Sequence, residues 1–529
     1  MLFTSYSFVA FLCVLFFAYF LVPRKWQWVT LLLGSYAFYA FSGLENLIFI
    51  AFTTVSAYVI SILMTRRVQS EKAFLENNRD TLSKEERKAY KARSKKKRFH
   101  ILLWGLVLNF GVLAVLKYTA FAVHNVNTVA SWFGSAGISV PDLLLPMGIS
   151  FYTFQTMGYL IDVYRGRAET ERNIAKLALF VSFFPQLVQG PISRFSDLGE
   201  QLSAPHPFSG KAFTFGLQRI LWGYFKKLVI ADRVLVAMNT MLDAPESYKG
   251  AYVLLLVLLY SVQIYADFTG GIDITIGIAE AMGIKLAENF DRPFSSKSTK
   301  EYWRRWHITM GSWFRDYIFV PLSVTRSMMR LNKAMAGKFG RVAAAKTVAY
   351  LASTVTWLLT GIWHGAGWNF IVWGLLNCLV IMVSESLEPA YDKFHKRFPR
   401  LTSSAPYACF MSVRTFLLMG IIRSLDCYRN VALTFSMWGS MLTFGGIGEI
   451  LGGGIFELGL TRADLIIVLL AILVVFAVSK ISARTDAREW LYDRPALNAA
   501  LFSVLILTVI MLGAYGVGYD ASQFIYNQF

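Results

Sequence analysis

The chain has 529 residues, of which 55% are apolar, 16% aromatic and only 16% charged, where soluble domains carry about 25% charged residues. Its 52 lysines and arginines outnumber 33 acidic residues, giving a net charge of +19. This composition excludes a soluble globular domain. The basic residues fall in loops between apolar runs, the positive-inside pattern of a membrane protein and not the footprint of a nucleic-acid-binding one.

Apolar runs recur in chain order at close to the ~20 residues that a hydrocarbon core requires. Ser5–Val22 comes first. Pro23-Arg24-Lys25 follow it where a cleavage site would need small residues, so it is expected to be an anchor and not a cleaved signal. Leu44–Met64 is followed by a basic stretch, Arg66–Arg98, ending Lys95-Lys96-Lys97-Arg98. That stretch marks a cytoplasmic loop at 65–99 that also touches anionic membrane lipid. Ile101–Val123 then leads to a polar segment, Asn125–Asp142, expected outside. Between Leu143 and Pro321 the apolar pattern is interrupted at Pro146, Pro185, Gly190, Pro191, Gly270-Gly271 and Pro293. Non-helical backbone at membrane depth is tolerated only where protein or a watery cavity surrounds it, so a buried, irregular core is expected there. Tyr252–Ala266, Leu465–Val478 and Leu501–Gly518 are further spans. Arg326–Lys346, Lys393–Arg400 and Lys480–Arg494 read as cytoplasmic, leaving the C-terminus outside. The expected fold is all-α: a polytopic transmembrane helical bundle of about eleven or twelve spans with short re-entrant helices. It forms one integral membrane domain over 1–529, with N-terminal spans in 1–140, a core in 141–425 and C-terminal spans in 426–529.

The four cysteines, Cys13, Cys378, Cys409 and Cys427, lie in or beside apolar segments without CxxC spacing, and read as small core residues and not as a disulfide framework or metal site. Of six histidines, His100, His124, His206 and His395 sit in polar or basic flanks, whereas His307 and His364 lie in apolar, tryptophan-rich surroundings. A polar group at membrane depth marks function by default. Ser298 and Glu301 have capping-box spacing, so a helix is expected from about Thr299. On it Trp303, Arg304 and His307 share a face while Glu301 reaches Arg305. An interfacial amphipathic helix explains the tryptophans and arginines, but not the histidine. His364 stands among Gly361, Gly365 and Gly367. A helix-packing patch explains the glycines, but again not the imidazole. The pair is 57 residues apart with no HxxxH or HExxH spacing, and there is no GxSxG elbow or P-loop, so no metal site is expected. What remains is an imidazole acting as a general base in a dry site.

Several stretches together resemble the membrane-bound O-acyltransferase family, most closely its bacterial alginate-type polysaccharide O-acetyltransferases. They are Leu145-Pro-Met-Gly-Ile-Ser-Phe-Tyr-Thr-Phe-Gln, Ile161-Asp-Val-Tyr-Arg-Gly, Phe183-Phe-Pro-Gln-Leu-Val-Gln-Gly-Pro-Ile-Ser-Arg, Gln263-Ile-Tyr-Ala-Asp-Phe-Thr-Gly and Glu288-Asn-Phe-Asp-Arg-Pro-Phe. Trp303-Arg-Arg-Trp-His-Ile, Trp313-Phe-Arg-Asp-Tyr-Ile-Phe-Val-Pro-Leu and Gly361-Ile-Trp-His-Gly-Ala-Gly-Trp-Asn-Phe complete the set. The likeness runs over roughly residues 140–425. It departs after Pro321-Leu322, where Ser-Val-Thr-Arg replaces the usual glycine-glycine-asparagine turn, and at Val188-Gln189-Gly190. The resemblance implies a buried funnel in a bacterial cell (inner) membrane, with His364 as the essential histidine and His307 as the second polar position. It also implies an acyl donor from the cytoplasm, an acyl-CoA such as acetyl-CoA, used as substrate with no bound cofactor; the sequence leaves open acetyl against another acyl group and coenzyme A against a carrier protein. The acceptor would be a hydroxyl of an extracytoplasmic polysaccharide or relay protein, and the partners an extracytoplasmic acyl-relay or acetyltransferase protein and a polysaccharide biosynthesis complex. Trp303, Trp306, Arg304, Arg305, Asp267, Asn289 and Asn369 are candidates for lining the site or holding the donor. Teichoic-acid D-alanyl transferases share this core. Outside the family, a proton-coupled transporter would also suit interrupted helices and embedded histidines, though no inverted repeat supports it. A scaffold for a polysaccharide synthase is the remaining alternative.

Overall fold

The computed structural model describes residues 3–135 and 137–515. The chain folds as helices. Among the described residues the one isolated β-bridge joins Phe290 to Trp306. Of the helices in the described residues, eight are long and apolar enough to cross a bilayer: Leu44–Asn77, Lys84–Trp132, Ala251–Ala281, Arg341–His364, Trp368–Ser386, Ala405–Tyr428, Arg462–Ser482 and Pro495–Leu512. The protein is a multi-pass membrane protein of the all-α class. Other apolar runs fold as shorter helices, among them Tyr6–Leu21 and Ile149–Arg165. The expected span Leu501–Gly518 is helical to Leu512, and residues 516–518 lie outside the described residues.

Two compact units divide the chain: Met1–Phe213 with Ile278–Leu286, and Thr214–Gly277 with Ala287–Phe529. In the first, the basic stretch Arg66–Arg98 is not a loop but the projecting ends of two long helices. The second of these starts with a full capping box, Ser83 accepting from the Glu86 amide and Glu86 from the Ser83 amide, and Phe74 stacks on Tyr90 at 4.1 Å. Asn109 donates from the second helix to Ser56 on the first at 3.0 Å, a polar tie between apolar surfaces. The Pro185–Pro191 segment forms a short helix, Phe184–Gln189, with Pro185 in its first turn, where proline is tolerated; it ends at the extended Gly190 and is fully enclosed. Gln186 donates to the Pro191 carbonyl and to Ser193 at 2.7 and 2.6 Å, which satisfies backbone that no helix can.

In the second unit, Gly270-Gly271 does not interrupt a helix as the sequence suggested. Ala251–Ala281 runs straight through it. The glycines serve close approach instead: a Cβ on Gly223 would meet the Gly270 carbonyl oxygen at 2.5 Å, and one on Gly277 would meet that of Gly216 at 2.6 Å. Such small-residue seams let helices pack backbone to backbone where hydrophobic exclusion gives no drive. Next to this seam lies a fully buried ion triad. Lys227, on a π-turn over Phe225–Ala231, reaches Asp232 and Asp267, each at 2.7 Å.

Candidate active site

The segment carrying His307 is built by local capping and one crossing of extended backbone. Helix Thr299–Arg305 starts where expected, with Ser298 accepting from the Glu301 amide at 3.2 Å, and Glu301 pairs with Arg305 at 2.7 Å. The helix then stops. Trp306 turns extended and bridges Phe290, while the Asp291 and Ile308 amides donate to the Arg305 and Asn289 carbonyls, each at 3.0 Å. His307 therefore does not continue the face of Trp303 and Arg304. It adopts left-handed backbone, φ +47°, as the cap of the next helix, Ile308–Phe314. A non-glycine residue held there costs about 1–3 kcal/mol, and such strain concentrates at functional sites.

Asn289 fixes the chemistry of that imidazole. Its Oδ1 lies 3.1 Å from the Thr309 amide nitrogen, 3.0 Å from the Thr309 hydroxyl and 3.2 Å from His307 Nδ1. The Thr309 amide can only donate, so the atom it meets must be the Asn289 oxygen. An oxygen cannot donate to a ring nitrogen, so Nδ1 carries the proton and Nε2 the lone pair, the assignment following from the network. The ring is 1% exposed and packs edge-on against Phe268 at 4.9 Å. Burial, helped by the positive charge of Arg423, pushes its pKa down to about 3, so His307 is neutral at physiological pH.

His364 ends helix Arg341–His364 and is half-buried. Gly361 and Gly374 pack this helix tightly on Trp368–Ser386: a Cβ on Gly361 would meet the Phe370 carbonyl oxygen at 2.4 Å, and one on Gly365 the Phe370 ring at 2.1 Å. The glycines thus do the packing work, and the imidazole is left over for something else. Its ring lies 4.6 Å from Trp373 and 5.0 Å from Trp363. Trp363 in turn lies 6.1 Å from His307. Two histidines distant in sequence therefore flank a single indole.

A second layer was not legible as a site. Arg423, 7% exposed in span Ala405–Tyr428, sits among three indoles, 4.5 Å from the Trp306 ring, 5.9 Å from Trp373 and 6.0 Å from Trp303. It also bonds the Tyr302 hydroxyl, and Tyr302 stacks on Trp306. One turn on, Asp426 accepts from Tyr260 at 2.9 Å. Trp303 donates its indole N–H to Asn377 at 3.2 Å. An arginine and an aspartate three residues apart inside an apolar run were the signal available.

This geometry coincides with a family match. Residues 167–428 fit the model of MBOAT, the membrane-bound O-acyltransferase family. A probable alginate O-acetylase of Pseudomonas aeruginosa is 31% identical over 452 residues, 84% of this chain and 75% of that one. The chain belongs to the membrane-bound O-acyltransferase family. It is an O-acyltransferase. A peptidoglycan O-acetyltransferase of Helicobacter pylori is 32% identical over 57% of this chain and 58% of its own length. A teichoic acid D-alanyltransferase of Bacillus subtilis is 28% identical over 52% and 67%.

Within this O-acyltransferase, Trp303, Trp306, Asn289, His307 and His364 gather around Trp363, Trp373 and Arg423. The other candidates stand elsewhere. Arg304 is exposed, Arg305 is paired with Glu301, and Asp267 belongs to the Lys227 triad. Asn369 is buried, and it donates to the Leu425 carbonyl at 3.3 Å, tying its helix to the one that carries Arg423. Among the described residues no group of three or more His, Cys, Asp or Glu side chains could hold a metal ion.

Proposed function

We propose that the enzyme moves an acyl group, acetyl, from a coenzyme A thioester to a hydroxyl of an extracytoplasmic polysaccharide or of a relay protein that finishes delivery, with His364 as general base. The supporting observation is the unlike character of the two imidazoles on either side of Trp363. His307 is sealed, neutral and locked with its lone pair on Nε2. A group with pKa near 3 is a poor proton acceptor at neutral pH but a sound hydrogen-bond partner. His364 is half-buried at the end of its helix, with its Nε2 inside the protein. A proton taken up there sits at the carbonyl end of a helix, the favourable end of the macrodipole for positive charge.

In this reading the acceptor oxygen attacks the thioester carbonyl while its proton passes to His364. The tetrahedral intermediate collapses with cleavage of the C–S bond, and the proton leaves on the departing thiol. Preorganised donors aimed at the developing oxyanion are commonly the largest contribution to such a step. The Arg423 guanidinium, held among three indoles, supplies fixed positive charge beside that centre. Identity across 84% of the chain with an alginate O-acetylase, against 52% with a D-alanyltransferase, favours acetyl over D-alanyl. The polysaccharide biosynthesis complex and an acetyltransferase-type relay protein are the partners this reading requires.

The test is turnover of labelled acetyl-CoA by purified protein in lipid nanodiscs, with mass analysis of the acylated product. His364→Ala should lower transfer by about 10²–10⁴-fold, the usual worth of a positioned base, with unchanged expression and elution. Undiminished transfer would refute the assignment of His364 as the base.

A further inference from the structure

We propose that the second unit carries a binding site for a membrane phospholipid with a zwitterionic phosphoethanolamine-type head, in a two-part cavity against helix Arg462–Ser482. The inference does not depend on acyl transfer. One part is polar, about 280 Å³, and is walled by Arg219, Lys226, Asp273, Glu288, Asp291 and Arg292. The other is an apolar slot of about 140 Å³ formed by Val262, Ala266, Phe294, Ile472, Val475 and Phe476. Lys226, Tyr265, Arg292, Val475 and Ser479 line both parts, so the two compartments adjoin across these side chains.

The polar wall is balanced: three cations face three carboxylates. Arg219 donates to Asp273 at 3.0 Å and with both terminal nitrogens to Glu288 at 2.6 Å. Lys226 bonds Asp273 and Thr269, and Arg292 bonds Asp291 at 2.8 Å. A net anion or cation entering a partly desolvated pocket of zero net charge leaves one charge uncompensated, which is costly in low dielectric. A phosphate and an ammonium on one head leave none. The rim offers partners for both. Arg292, with left-handed backbone at φ +48°, keeps 37% of its side chain accessible, and Glu288 and Asp291 are its more exposed neighbours, with 60% and 51%.

The orientation also fits an amphiphile. Ile466, Leu469, Leu470 and Leu473 of the bordering helix are exposed apolar residues, suited to lipid, and Lys480 and Arg484 mark its basic end. Ser479 and Ser482, near that end, line the polar part, whereas Ile472, ten residues earlier, lines the slot. On this helix the slot runs from Ile472 to Ser479 and the polar part from Val475 to Ser482, an offset of about 4.5 Å toward the basic end at about 1.5 Å per helical residue. Head and tail compartments are thus offset along the span in the order that a bilayer lipid presents them.

Native mass spectrometry and thermal unfolding of delipidated protein in detergent, with phosphatidylethanolamine, phosphatidylglycerol, inorganic phosphate or acetyl-CoA added singly, test this. Phosphatidylethanolamine should bind one to one and raise the melting temperature, phosphatidylglycerol at least tenfold more weakly. Arg292→Ala on the rim and Val475→Trp in the slot should each weaken binding about tenfold or more while the protein elutes unchanged. The rim variant keeps the test decisive should the slot variant misfold. Equal binding of phosphatidylglycerol, equal protection by inorganic phosphate, displacement of the lipid by acetyl-CoA, or no lipid bound at all would each overturn the proposal.

Discussion

Replacing Asn289 with alanine removes one oxygen that accepts from three groups: His307 Nδ1, the Thr309 amide and the Thr309 hydroxyl. Two consequences separate. The Thr309 N–H and the rest of the turn lose a buried acceptor, which costs about 1–3 kcal/mol of stability. The imidazole loses the bond that favours the Nδ1–H tautomer. With that bond worth about 1–1.5 kcal/mol, and 1.36 kcal/mol corresponding to tenfold in rate, the productive tautomer should fall roughly tenfold relative to its rival. If His307 acts through its Nε2 lone pair, a tautomer ratio falling from about 10:1 to about 1:1 takes the productive form from about nine-tenths of the enzyme to about half, so kcat drops about twofold while KM for the acyl donor changes little. The assay is thiol release from acetyl-CoA by protein in nanodiscs, run on Asn289→Ala, His307→Ala and the double variant. Through-His307 action predicts a double variant no slower than His307→Ala alone. An additive double variant, slower than His307→Ala by the same factor that Asn289→Ala alone costs, would refute the tautomer argument and reduce Asn289 to a brace for the turn.

Other outcomes follow from the same geometry. Arg423→Gln removes a buried cation held 4.5 Å from the Trp306 ring and should destabilise by about 2 kcal/mol, the worth of a desolvated cation–π contact. Adding Asp426→Asn should recover part of that loss, and an unrecovered double variant in chemical denaturation would disconnect the two. Gly361→Ala places a methyl 2.4 Å from the Phe370 carbonyl oxygen, so it should cost about 1–3 kcal/mol and lower transfer by shifting His364; wild-type melting and activity would contradict the packing account. For pH, the folded pKa of His307, about 3, lies below its ordinary value of about 6.5. The folded state therefore binds this proton less readily than the unfolded one, and the associated stability is complete above pH 6.5 and declines as pH falls toward 3. His307→Phe should flatten the fall in melting temperature between pH 6.5 and 4, and parallel profiles would dispose of the shift.

The sequence disclosed what depends on periodicity and residue type. Long apolar runs became spans, Ser298 capped its helix, and Glu301 found Arg305. It misled where one residue type has two physical uses. Gly270-Gly271 looked like a helix breaker because glycine is costly in a helix interior, yet backbone contact with Gly223 outweighs that cost in a tight crossing. The Arg66–Arg98 stretch looked like a loop because it is charged, but the helix continues well beyond the apolar run. Arg423 and Asp426 escaped notice because a charged pair one turn apart in an apolar span shows its partners only in three dimensions, and those partners, Trp306, Trp373 and Tyr260, lie on other segments.

His307 and His364 share a feature that pattern reading could not supply: each stands where a helix stops. His364 ends its helix before the extended Gly365, and His307 occupies a left-handed turn after a short crossing of strand-like backbone. Within a regular helix a side chain is confined to one of a few directions and its amides are already paired. At a break, backbone polar groups and side chains can converge from several elements, but in a membrane protein this is permitted only where protein supplies every missing hydrogen bond. Asn289 does so for the His307 turn, accepting from Thr309 while its carbonyl takes the Ile308 amide. The residue that completes the broken backbone is the same one that sets the imidazole tautomer. Stability of the turn and chemistry of the site are therefore coupled through one side chain, which is why both respond to the Asn289 substitution and why the double variant is needed to tell them apart.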